Sequence, residues 1–164
     1  MSRLILLLAA LMGLGVMAAK TAEAVQRQFI IFFGEGDRDR FDPKQWLVIP
    51  AGVDAVREAA QAHKEMGGAI LLIGNDQNVG SPADALVRSR RRIEAVQDLL
   101  VQSGVRREVI RTKPCGSSNP LAGNAKDVSE PQNRYVTIDL LDSMREAVAG
   151  ANAVCPSAAR DAVQ

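Results

Sequence analysis

Two short runs carry most of the chemistry this chain has to offer. The first is GNDQNVGS, residues 74–81, a polar loop closed by glycine that follows an apolar run and holds one carboxylate, Asp76. The second is RSRRR, residues 88–92. Carboxylates and guanidinium groups form the strong, charge-assisted hydrogen bonds that hold small charged ligands. Catalysis finds little support. His63 is the only histidine, and its spacing places it on the apolar stripe of a helix as a core or boundary residue, which removes most routes to Ser-His or Cys-His chemistry. Glu35, Asp37, Asp39 and Asp42 are interleaved with Arg38 and Arg40, which neutralise them, so a solvated loop is expected rather than a calcium site. In GEGDRD the third glycine of a dinucleotide fingerprint would fall on Asp39, and no helix opens there. No metal-ligand spacing stands out, and no cofactor is expected.

The elements that must position these residues come from a chain of 164 residues, 47% apolar and 24% charged, enough for one domain with short appendages. Aromatic residues make up only 4%, so the core must come mainly from Val, Ile, Leu and Ala. Arg3 is followed by sixteen uncharged residues and then Lys20. That run is short for a membrane span and suits a secretory signal peptide. Ala22-Glu23-Ala24 fits the processing pattern, giving a signal peptide over 1–24, with a cut after Ala18 or an uncleaved anchor as alternatives. Removing Arg3, Lys20 and Glu23 from 20 basic and 19 acidic residues leaves 18 of each. A neutral, exported chain excludes nucleic acid as a partner and makes RSRRR a helix face. Export also makes a disulfide the expected fate of Cys115 and Cys155, with free thiols as the alternative.

FIIFF (29–33) reads as a buried strand. Pro50 opens a helix with Val53, Val56, Ala60 and His63 on one face, and Gly67-Gly68 stops it. AILLIG (69–74) is a second buried strand. Pro82 starts a long helix to about Ser103, with Leu86, Ile93, Val96 and Leu100 as its stripe and Ser89 within it. On that helix Arg92 lies at the stripe's edge, whereas Arg88 and Arg91 are expected to point away. VIRTK (109–113) and YVTIDL (135–140), the latter alternating, are further strands, and a short helix is expected over 142–149.

Four segments in order resemble the OmpA-like domain, a periplasmic module that binds peptidoglycan. The family's G-x-T-D-x-x-G-S loop is matched by GNDQNVGS (74–81), and its L-S-x-x-R-A-x-x-V helix by RSRRRIEAV (88–96). Its E-S-N-P is matched by SSNP (117–120), and its N-R-R-V strand by NRYV (133–136). The resemblance covers about residues 29–140. It implies an α/β sandwich of order β-α-β-α-β-β, a mixed four-stranded sheet with two main helices packed on one face. It also implies a domain over 25–141 with a helix and tail over 142–164.

In that family an Asp takes the ammonium and an Arg the carboxylate of diaminopimelate in the wall stem peptide. The Arg falls on Arg92 and the Asp on Gln77, which brings no charge. Asp76, one residue earlier, would have to swing in, and adjacent loop residues usually point different ways. Ala85 stands where the family has Asn, and GEGDRDRFDP lacks its F-D-x-D/N pattern. The resemblance thus implies a non-catalytic domain that associates with peptidoglycan through Asp76, Gln77 and Arg92, weakly. Asn75, Asn133 and Arg134 would support the site. The alternative is a protein-interaction module of an outer-membrane or envelope complex with a vestigial pocket.

Overall fold

The computed structural model describes residues 27–34 and 50–155. The expected signal peptide (1–24), the acidic loop with Glu35, Asp37, Asp39 and Asp42, and the tail beyond Cys155 lie outside the described residues. Four strands form one sheet: β1 (Arg27–Phe32), β2 (Ala69–Gly74), β3 (Ile110–Pro114) and β4 (Tyr135–Leu141), in the order β1-β4-β2-β3. β4 is antiparallel to both β1 and β2, and β2 runs parallel to β3, so the sheet is mixed as expected. Between the strands lie α1 (Pro50–Met66) and α2 (Pro82–Gln102), and α3 (Met144–Ala153) follows β4.

The two central strands, β2 and β4, are buried on both faces. Alternation along the strands sends Ile31, Ile70, Leu72, Val136, Ile138 and Leu140 to one side, where Val56, Ala59, Ile93, Val96 and Leu100 of α1 and α2 meet them. The two main helices therefore share one face. Ala69, Leu71, Ile73 and Leu141 point to the other side and pack with Ala147 of α3. That second layer explains why β4 is buried at all seven positions instead of alternating between core and solvent. α3 starts at Met144, later than the expected 142, because Ser143 caps it, its side chain accepting from the Glu146 N–H, and it runs on past 149 to Ala153.

Local chemistry sets the boundaries. Ser81 caps α2 by accepting from the Asp84 N–H at 3.1 Å, and Pro82 fits the first turn. α1 ends where Gly67 and Gly68 take φ of 72° and 81°, and a side chain at Gly68 would strike the Leu141 carbonyl. β3 starts at Ile110 because Arg107–Val109 form a 3-10 turn. Cys115 and Cys155 are joined by a disulfide, 40 residues apart with Cα atoms separated by 5.6 Å, which ties the end of α3 to the end of β3. Among the described residues no helix is long and apolar enough to cross a membrane, and no group of three or more potential metal ligands occurs.

Candidate functional site

The C-terminal end of β2 builds the site. Past Gly74 the chain stays hydrogen-bonded on both sides: Cys115 N–H donates to Gly74 O (2.8 Å), Asn75 N–H to Tyr135 O (2.8 Å), and Asp76 N–H to Gly116 O (2.7 Å). Ser89 ties α2 to the same place, its hydroxyl accepting from Gly116 N–H at 3.1 Å and donating to Leu86 O at 2.9 Å. Gly74 makes the approach possible. A Cβ there would sit 2.5 Å from Ser89 O and under 3 Å from the Ile93 side chain.

This clamped backbone turns Asp76 toward α2. One carboxylate oxygen pairs with Arg92 Nη1 at 2.8 Å and the other with Arg88 Nε. Arg92 also donates to Asn75 O at 2.9 Å and lies 5.7 Å from the centre of the Phe33 ring, a cation–π distance. Arg88 donates from Nη2 to Val79 O at 2.7 Å, which pins the loop from its far side. Asp76 and Arg92 are 1% and 3% exposed. Burial pulls the Arg92 guanidinium below its ordinary value and Asp76 pushes it back up, while Arg88 and Arg134 add to the lowering. An arginine so placed stays charged, and it needs the buried carboxylate to do so.

The remaining expected residues divide by role. Gln77 is nearly buried and turns to the 117–133 loop, where its Oε1 accepts from Ser129 Oγ at 3.1 Å. Asn133 is fully buried and folds that loop, accepting from Leu121 and Ala122 N–H (2.8 and 2.9 Å) and donating to Gly123 O (3.0 Å). Arg134 is buried close enough to Arg92 for the charges to act on each other, and its carbonyl accepts from Phe33 N–H at 2.9 Å. Asn75 contributes its carbonyl to Arg92. Tyr135 stands where the family motif has a second Arg. Its hydroxyl donates to Asn119 O at 2.7 Å and so anchors the SSNP segment.

Three expectations are corrected here. Asp76, not Gln77, faces Arg92, because the backbone bonds at Asn75 and Asp76 fix which side chain turns inward. Arg88 does not point away: it lies one helical turn before Arg92 on the same face and shares its carboxylate. That four-residue spacing was the available signal for Arg88; Ser129 and Phe33 had none. Leu86 is 39% exposed, and Ala85 takes the buried position. The Cys115-Gly116 backbone crosses there, with Gly116 so close to Ala85 and Leu86 that only a small side chain fits beneath it.

The fold and this end-of-sheet ion cluster define a small α/β module. Residues 40–134 match the profile of the OmpA family, and the chain belongs to that family. Outer membrane protein A of Bordetella avium is 28% identical over 106 residues, 64% of this chain and 55% of its own length. The peptidoglycan-binding protein ArfA of Mycobacterium bovis is 35% identical over 92 residues, 56% of this chain and 28% of its own. The chain thus spans about half or less of the length of the curated relatives it matches. The peptidoglycan-associated lipoprotein from Burkholderia pseudomallei has the same fold, with a TM-score of 0.54 at 26% identity over 68% of this chain and 87% of that one.

Proposed function

We propose that this protein is a non-catalytic module of the cell envelope that is exported and associates with peptidoglycan through the diaminopimelate of the stem peptide. Membership of the OmpA family and the names of the mycobacterial and Burkholderia relatives support the wall as partner. The observation that carries the reading is the Asp76–Arg92 pair at the end of β2. The cation sits at the motif's position, and an anion is retained one residue before the expected place. Association is weak. Gln77 replaces a charge-assisted hydrogen bond worth about 1.5–3 kcal/mol by a neutral one worth about 0.5–1.5. The difference is of order 1–2 kcal/mol, or roughly 5- to 30-fold in affinity.

A second reading has its own observation. Asp76 already occupies Arg92, as a ligand carboxylate would, which favours a protein-interaction module of an envelope complex with a vestigial pocket. Co-sedimentation of the exported chain with purified peptidoglycan separates the two. Wall association predicts that the wild type sediments, that Arg92→Ala loses this, and that Gln77→Asp strengthens it. A wild type that stays in the supernatant at high protein concentration removes the wall reading. If Gln77→Asp alone then sediments, the pocket is inherited and the partner is a protein.

A further inference from the structure

Residues 124–129, in the long loop before β4, clasp the 74–81 loop from outside. Gln77 Oε1 accepts from Ser129 Oγ at 3.1 Å. Asn78 donates from its side chain to Asn124 O at 3.0 Å, and its carbonyl accepts from Asp127 N–H at 2.7 Å. Gly80 is held by both of its backbone groups. Its N–H donates to an Asp127 carboxylate oxygen at 3.1 Å, and its carbonyl accepts from the Lys126 ammonium at 3.2 Å. The second Asp127 oxygen lies 3.7 Å from the same ammonium. One residue of the loop therefore reads an ammonium and a carboxylate held side by side, the two groups that the amino-acid end of diaminopimelate presents.

Two features make this contact releasable. The Lys126 and Asp127 side chains are 67% and 62% exposed, and pairs this open to water hold weakly. Asp127 has φ of 58°, a left-handed backbone that is unfavourable for a residue with a Cβ and that the clasp must offset. The inner half of the loop is held separately: Asp76 N–H donates to Gly116 O at 2.7 Å, and the Asp76 side chain is 0% exposed. We infer that residues 124–129 are an internal stand-in for the ligand, with Lys126 and Asp127 occupying Gly80 in the free protein, and that the wall peptide gains the loop by displacing them. This rests on the wall-binding reading for the identity of the ligand. It adds a self-inhibiting contact, and with it a second cause of weak association: competition from within the chain.

A double variant, Lys126→Ala with Asp127→Gly, removes both side chains, leaves the net charge unchanged and tolerates the left-handed backbone. Sedimented with purified peptidoglycan over a concentration series, it should bind roughly 2- to 30-fold more tightly than the wild type, the worth of two exposed contacts. Amide exchange followed by NMR needs no wall. The Gly80 N–H should lose protection in the double variant, and the Asp76 N–H should keep it. Adding meso-diaminopimelate to the wild type should strip protection from the Asp127 N–H, which the clasp bonds to Asn78 O. Unchanged or increased protection there overturns the inference, because the segment would then ignore the ligand or close over it. Unchanged Gly80 exchange in the double variant overturns it too, whatever the wall does. A wild type that sediments and a double variant that binds no better overturn the inference alone and leave the wall reading standing. If neither protein sediments at high concentration, the wall reading falls and the inference falls with it.

Discussion

Asp76 holds two guanidinium groups in place, one buried and one partly exposed. Removing one partner of a buried ion pair costs about 3–5 kcal/mol, because the other charge stays buried without compensation. Asp76→Asn is therefore expected to lower the urea-unfolding free energy by that amount. Asp76→Thr combined with Arg88→Leu reproduces the pair found in the family motif and should recover only the part of the loss due to Arg88, because Arg92 stays buried without its carboxylate. A double-mutant cycle that returns additive costs would show the two residues to be independent. At this scale the sequence is half legible. Arg92 is assigned by helix phase and motif together. Asp76 is not, because the direction of a loop side chain depends on hydrogen bonds to Tyr135 and Gly116, which are 60 and 40 residues away in the chain.

Elements read more clearly than side chains. The ends of α1 and α2 follow from Pro50, Gly67-Gly68, Ser81 and Pro82, whose effects are local. The facing of Leu86 does not, since it is decided by a strand end crossing from β3. Gly74 belongs to the same crossing. Gly74→Ala should cost about 1–3 kcal/mol by pushing α2 off β2, measured as a fall in unfolding free energy with an unchanged denaturant slope. β4 holds an opposite tension, an acid inside a strand that is otherwise core. Burial raises the Asp139 carboxyl above its ordinary 3.8, against lowering by Gln28, whose amide donates at 2.8 Å, and by Thr137. The folded chain then holds this proton more tightly than the unfolded chain, so this residue's contribution to stability falls as pH rises from 3.8 through the raised value. Asp139→Asn removes that slope. Its stability relative to wild type should rise as pH increases above 3.8, and a difference that stays flat above that value would contradict the assignment.

For the whole molecule, strand and helix order sufficed to read a mixed sheet with two helices on one face, but not the second layer. The tail was legible only as a short helix. That it covers Leu71 and Ile73 follows from the disulfide and from Gly150, whose missing side chain lets α3 lie close against Leu71. Closing a loop of 40 residues stabilises a fold by roughly 3.5–4 kcal/mol. Reduction, or Cys155→Ser, should lower the unfolding free energy by that much and expose the α3 side of β2 to hydrogen exchange first. The same bond decides how the molecule answers to force. A pull on the chain past Cys155 passes straight to Cys115 at the end of β3, so α3, β4 and the loop before it form a closed ring that tension cannot draw out. Stretched between its ends, the oxidised protein should come up short by about 140 Å of contour, the length of those 40 residues at about 3.5 Å each, and a reductant should release it in one step.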